Sequence, residues 1–222
     1  MLAPRTGLRT RASLVLVLAA GLAGAAACDD NDDDIIGGIT DQEVQAEVQQ
    51  GESRGTALAT QIDALMTPMT VEQESPVAGS IAVTVDQGEI TQAQIALERA
   101  QDPEVRAFAE QMVREHTEHQ AEQMALLEAR GMAPADNEVS AALRADAAAG
   151  VAELEAASPA TFDQAYMLLQ VRMHSEAGIV VDELSQQVDD AELARFYDTT
   201  VPVIQEHRQR AIAIIDDRFG VR

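Results

Sequence analysis

Each of four predicted helices carries one ionisable residue on a stripe that is otherwise mostly apolar. These residues are Glu89, His116, His174 and His207. The stripe of a helix that faces a protein core is normally apolar, because burying a polar group without a partner costs about 2 kcal/mol or more. One such residue on each of four helices therefore predicts a shared polar site inside a helical bundle.

The helices themselves are predicted from periodicity and from capping residues. Helical periodicity is clear from about residue 81 onward, and Asp102-Pro103 is a strong helix start. The four long helices are expected from Val85 to Ala100, from Pro103 to near Gly131, after Ser158-Pro159, and from Asp189-Asp190 to Gly220. A shorter alanine-rich helix is expected from Glu138 to Ala156. This order predicts an all-α protein, a four-helix bundle with a short crossover helix between helices two and three.

The segment before the bundle has two parts. Residues 41–66 are compatible with a further helix, and residues 67–80 contain two prolines and a glycine, which is typical of a linker. The sequence therefore predicts an extra helix and a linker over 41–80, followed by a bundle domain over 81–222.

The N-terminus has the features of an export signal over residues 1–27. Arg5, Arg9 and Arg11 form a basic region, and the apolar run 14–23 is too short to span a bilayer. Small residues follow, and then Cys28, an order that resembles a bacterial lipoprotein signal peptide. Cleavage there would leave Cys28 as the lipidated N-terminus, anchoring the protein to a membrane through acyl chains.

Two other features bear on this prediction. Ala25 stands where a lipoprotein signal usually has leucine, so ordinary secretory cleavage that leaves a spare thiol is the alternative. Cys28 is the only cysteine and therefore has no intrachain disulfide partner, which favours acylation.

Residues 28–40 include five aspartates in a run of six and are predicted to be an acidic tether. The protein is expected in the cell envelope, at the inner or the outer membrane, facing the periplasm or the surface.

The charge of the chain excludes one class of partner. The formal net charge is −23, whereas nucleic-acid binding requires a basic surface. The sequence identifies no protein partner.

The four ionisable residues on the helix stripes can be interpreted in two ways. Three imidazoles and a carboxylate suit a transition metal ion such as Fe, Mn, Zn or Cu. Alternatively, the buried histidines only form hydrogen bonds, in a structural or protein-interaction lipoprotein. The Glu-x-x-His pattern of di-iron bundles is absent from the sequence, as is a nucleophile elbow, so no catalytic residue is assigned and a non-enzymatic role is favoured. His119 is expected to face solvent, and Glu115 to point about a quarter-turn away from the site.

Several motifs resemble the bacterial DUF4142 family. They are Gly88-Glu89 with residues 95–97, the run VRAFAEQMVREH over 105–116, FDQAYM over 162–167 followed by His174, and Val201-Pro202 with Glu206-His207. The resemblance covers about residues 83–215 in order. It implies a ferritin-like helical bundle in exported proteins that are often described as outer-membrane proteins, and it implies no particular activity.

The resemblance falls on the same four residues that the stripes select. It adds Asp163 as a motif position, either a helix cap or a partner of the site. Met173 stands where the family usually has an acid before the third-helix histidine, which removes one carboxylate and disfavours catalysis. Residues 41–80 are expected to be an addition to the family domain or an insertion within its first-helix region.

Overall fold

The computed structural model describes residues 37–221, and this part of the chain is all-α. The six helices are α1 (Asp41–Met66), α2 (Val71–Arg99), α3 (Pro103–Glu128), α4 (Glu138–Ala156), α5 (Phe162–Gln187) and α6 (Ala191–Arg218). No β-strand occurs between residues 37 and 221, where an isolated bridge joins Ile39 to Gly220 near the two ends.

The helix boundaries follow from local capping. The Asp102 side chain accepts a hydrogen bond from the Glu104 backbone amide at the start of α3, and Asp190 accepts from the Leu193 amide at the start of α6. Gly131, just beyond α3, has a φ of +67°, a conformation that glycine adopts without a Cβ clash. The predicted starts of α3 and α6 are observed, as is a helix over the predicted range Glu138–Ala156.

The predicted linker is helical over its larger part. Helix α2 begins at Val71 rather than near Val85, so the interpretation of residues 71–80 as a linker was wrong. Thr70 and Gln73 form a capping box, and the Pro76 carbonyl accepts a hydrogen bond from the Ala135 amide. Gly79 leaves room for the Leu127 side chain, which would lie 2.5 Å from an added Cβ. Tertiary packing therefore holds a proline and a glycine inside a helix.

A polar layer separates two apolar core clusters. Helix α2 packs against α3, α4 and α5, while α6 packs against α3 and α5. One core cluster contains Met112 and Ala211, and the other contains Ala82 and Ile204. The ionisable residues predicted from the stripes fall between these clusters along α2, α3, α5 and α6, so four helices bring them to one level of the fold.

Helix α1 lies along α5 at close range. Gly51 and Gly55 face α5 so closely that a Cβ at Gly51 would overlap the Arg172 carbonyl and would lie 2.7 Å from the Ser175 side chain. These two glycines therefore allow α1 to cover the outer side of α5.

None of the helices between residues 37 and 221 is long and apolar enough to cross a membrane. The predicted signal peptide, Cys28 and most of the predicted tether lie outside the described residues.

Candidate metal centre

Three histidines from three helices meet in the interior. His116 on α3, His174 on α5 and His207 on α6 are 7%, 2% and 3% exposed. Their ring centroids lie 5.3 to 5.8 Å apart. One ring nitrogen from each residue lies within 4.8 Å of the others. We call these three residues the histidine cluster.

Each ring of the cluster is oriented by an acceptor outside it. His116 Nδ1 lies 2.9 Å from Asp86 Oδ1, and His207 Nε2 lies 2.7 Å from Glu115 Oε2. His174 Nδ1 lies 3.0 Å from the Gln170 backbone carbonyl. Carboxylates and carbonyls only accept, so each of these nitrogens carries the proton and donates. Such hydrogen bonds fix the tautomer and the orientation of a histidine ring.

The second nitrogen of each ring has no hydrogen-bond partner among the described residues. Within the described part of the chain, His116 Nε2, His174 Nε2 and His207 Nδ1 are buried and have no hydrogen-bond partner. We call them the inner nitrogens. Buried polar atoms normally have a partner, and a shared cation or a hydrogen-bond donor would satisfy these three lone pairs.

Glu89 borders the cluster rather than completing it. Its carboxylate is 1% exposed, and Oε1 lies 3.7 Å from His174 Nδ1. Its Oε2 accepts a hydrogen bond of 3.0 Å from Gln170 Nε2. The three converging ligand atoms come from the histidines alone. The structure therefore brings together three of the four predicted residues and places Glu89 beside them.

The surroundings shift the pKa values of the three histidines in different directions. Burial lowers the pKa of His174 well below its ordinary value, and the neighbouring charges of His116 and His207 lower it further. Burial also lowers the pKa of His207, against the opposing hydrogen bond to Glu115. Burial disfavours the charged form of His116 too, but the hydrogen bond to Asp86 and the charge of Glu89 raise its pKa overall. The surroundings therefore favour the uncharged form of His174 and His207 and the protonated form of His116.

Burial acts on Glu89 in the opposite direction. It raises the pKa of the Glu89 carboxyl above its usual value, although His116 and the hydrogen bond from Gln170 oppose this shift. The buried Glu89 carboxyl therefore lies beside the His116 imidazole, and this pairing avoids an isolated buried charge.

Asp86 is the main residue that sequence reasoning missed. It lies one helical turn before Glu89, and its buried carboxylate accepts from both His116 Nδ1 and His119 Nδ1. The prediction that His119 faces solvent was wrong: its ring stacks on Phe196 at 4.6 Å, and its Nε2 lies 3.0 Å from Thr200 Oγ1. The spacing of Asp86 and Glu89, three residues apart on one helix face, was the available signal.

Glu115 turns away from its own helix stripe, as predicted, but it reaches the cluster from the side. Its contact with His207 joins α3 to α6. The sequence places Glu115 on a helix face but does not show which residue of another helix meets that face.

Asp163 belongs to a different part of the molecule. Its carboxylate accepts from the backbone amides of Gln101 and Asp102, at 3.0 and 2.7 Å, in the connection between α2 and α3. Gln101 lies beyond the end of α2, more than 15 Å along the helix direction from Glu89 at about 1.5 Å per residue. These contacts hold the connection between α2 and α3 against the first turn of α5.

The histidine cluster fits a transition metal ion in its chemistry. Neutral imidazole is a preferred ligand of Zn, Cu and Fe, and the outward nitrogens are held by carboxylates and a carbonyl, as in known metal sites. Metal–nitrogen bonds of about 2.0–2.1 Å place tetrahedral ligand atoms about 3.4 Å apart. One nitrogen from each ring lies within 4.8 Å of the others, so metal binding draws these atoms together by up to about 1.4 Å.

Comparison with known proteins gives one assignment. The family model DUF4142, a domain of unknown function, matches residues 63–214. The chain belongs to the DUF4142 family, as the sequence motifs predicted. The match starts inside α1, so residues 63–80 belong to the family domain, and residues 1–62 and 215–222 lie outside the match. No curated protein matches the chain. No solved structure matches it either.

Proposed function

We propose that the histidine cluster binds one divalent transition metal ion, such as Zn, Fe, Mn or Cu, in an exported, membrane-anchored protein. The scaffold for this site is a ferritin-like four-helix bundle made of α2, α3, α5 and α6, with α4 as its crossover helix and α1 as an addition. The ligand atoms are the inner nitrogens of His116, His174 and His207.

One observation carries this proposal. In each of the three rings, the outer nitrogen donates to a fixed acceptor, while the described residues offer the inner nitrogen no partner. A structural histidine needs only one hydrogen bond to be held in place. Three buried rings in one cluster that each keep an unpaired nitrogen favour a shared cation.

A second candidate function rests on the charge of His116. Its raised pKa means that a proton can occupy the cluster, with the inner nitrogen of His116 donating to a neighbouring uncharged ring. The histidines would then only hold the helices in register, in a non-catalytic structural or interaction protein.

Metal content after equilibrium dialysis distinguishes these two functions. The purified protein is dialysed separately against Zn²⁺, Mn²⁺, Fe²⁺ without oxygen, and Cu²⁺, and the bound metal is measured by mass spectrometry. We expect about one equivalent of at least one metal. The variant His116→Gln/His207→Gln, which removes two of the three ligands, is expected to bind none at the same free metal concentration.

The matched control is His119→Gln. Both ring nitrogens of His119 are engaged, by Asp86 and Thr200, so its loss is expected to preserve the stoichiometry. Circular dichroism tests whether both variants are folded. If no metal binds to the parent protein, or if the double variant binds as much as the parent, the metal proposal is wrong and the hydrogen-bonded cluster stands.

We also propose that Cys28 is acylated and that the acidic residues after it hold the folded part away from the membrane. The support is the order of the basic, apolar and small residues before the only cysteine. Cells grown with a labelled fatty acid are expected to label the protein but not Cys28→Ala. Labelling of neither protein would indicate ordinary secretory cleavage.

A further inference from the structure

A cavity of about 240 Å³ opens to the surface between α3 and α6. Val203, at 44% exposed, and the exposed Glu122 and Thr199 lie at its mouth. An apolar cavity of about 150 Å³ holds a molecule of the size of benzene. The volume of this cavity therefore suits a single ring with a short side chain, rather than a helix of another protein.

The walls of this cavity are mostly apolar. The apolar lining residues are Ala82, Val85, Val181, Phe196, Val203 and Ile204. Such walls favour an apolar group, because burial removes its surface from water. They disfavour an inorganic ion that must keep its hydration shell.

Glu122 is the carboxylate of the cavity wall that has no partner among the described residues. Asp86 accepts hydrogen bonds from two histidines, and Glu115 contacts His207 and Arg114. Glu122 is exposed at the mouth and forms no hydrogen bond or ion pair with another residue between 37 and 221. The lining residues, all within this range, include no arginine. The unpaired charge at the mouth is therefore negative.

The charge of the whole chain has the same sign as the mouth of the cavity. A formal net charge of −23 attracts cations and repels anions. From these observations, we propose that the cavity binds a small organic cation, with its apolar body between the walls and its ammonium group beside the Glu122 carboxylate. This inference goes beyond the proposed metal binding and does not depend on it, because the inner nitrogens are buried and take no part in the cavity's contacts with the ligand.

Three probes of similar shape test the charge of the ligand: the cation phenethylamine, the neutral phenethyl alcohol and the anion phenylacetate. Each is titrated at neutral pH into the purified protein after a chelator has removed any metal, because a divalent ion in the histidine cluster would add positive charge near the cavity. Two-dimensional NMR follows the backbone amides of Thr199 and Thr200, which line the cavity. We expect saturable shifts, with the amine binding about threefold to fivefold more tightly than the alcohol and phenylacetate more weakly than both. Methylammonium, a cation without an apolar body, is expected to give no saturable shift at the same concentrations.

Two pairs of variants test where the ligand binds. Glu122→Gln is expected to remove the advantage of the amine over the alcohol, whereas Glu118→Gln makes the same change of charge at an exposed position of α3 outside the cavity lining and is expected to keep it. Val203→Trp places a large side chain at the mouth and is expected to weaken the binding of the amine and of the alcohol about tenfold. Gln209→Trp adds the same side chain at an exposed position of α6 outside the lining and is expected to have no effect. The amide spectrum of each variant tests whether it is folded.

Each failure has a separate signature. If the alcohol or phenylacetate binds as tightly as the amine, or if Glu118→Gln weakens amine binding as much as Glu122→Gln, the proposed cation is wrong. If no probe shifts the amides in a saturable way, or if Val203→Trp leaves binding unchanged, the cavity is not the binding site. Because all of these titrations use protein without metal, none of these results bears on the proposed metal site.

Discussion

Zinc at a free concentration a hundred times its Kd is expected to raise the melting temperature of the protein by about 5–10 °C. The inner nitrogens come from α3, α5 and α6, and they meet only when these helices are packed together. The metal therefore binds the folded state in preference to the unfolded state. Ligand linkage at this concentration stabilises the folded state by about 2.7 kcal/mol, from which the temperature shift follows.

The acidity of the chain makes a control for this shift essential. Thirty-eight aspartates and glutamates could collect divalent ions at the surface. Magnesium, which prefers oxygen ligands, is expected to give little shift, and His116→Gln/His207→Gln is expected to lose the zinc shift. A shift of equal size in this variant would place the zinc on surface carboxylates and contradict the proposed site. Differential scanning calorimetry or near-UV circular dichroism measures the transition.

Secondary structure was largely predictable, because the capping residues and the apolar stripes are local features. The starts of α3 and α6 follow from Asp102 and Asp190, and both side chains form the expected caps. The start of α2 was misplaced because Pro76 and Gly79 resemble linker residues when only neighbouring residues are considered. The capping box of Thr70 and Gln73 was present in the sequence and would have corrected this boundary.

The close approach of α1 to α5 was beyond the reach of the sequence. Two glycines in a helix usually lower the expectation that the helix forms, since glycine is a weak helix former. Gly51 and Gly55 are instead the positions where the two helices pack together. Their role depends on the partner helix, which periodicity does not identify.

The candidate site shows the same division between local and tertiary information. A helix stripe tells which residues of that helix face inward, and this sufficed to select the histidines of the cluster. It does not tell which side chains from two helices meet. Glu115 contacts His207, and Asp86 contacts His116 and His119, only because of the register between helices. The acceptors that orient the rings were therefore missed, although the rings themselves were found.

Metal affinity is expected to fall about tenfold as the pH drops by one unit from 6.5, which corresponds to competition by one proton. Competition by three protons would lower it by about a thousandfold. Histidine must lose its proton to bind a metal, so protons compete with the metal at every ligand that is charged in the metal-free protein. Burial lowers the pKa values of His174 and His207, so their neutral forms are favoured just below pH 6.5. His116 has a raised pKa because Asp86 and Glu89 favour its charged form over the cost of burial. One proton, from His116, is therefore displaced.

Isothermal titration calorimetry in two buffers of different ionisation enthalpy measures this number directly. At pH 6, we expect release of about one proton per metal ion, and the logarithm of the affinity should change with pH at a slope of about one. Release of about three protons would mean that all three histidines are charged before the metal binds, which contradicts the burial and tautomers derived for His174 and His207. Release of none would mean that His116 is neutral despite Asp86 and Glu89. The metal would then bind the three histidines without displacing a proton. This outcome would exclude the alternative in which a proton on His116 occupies the cluster.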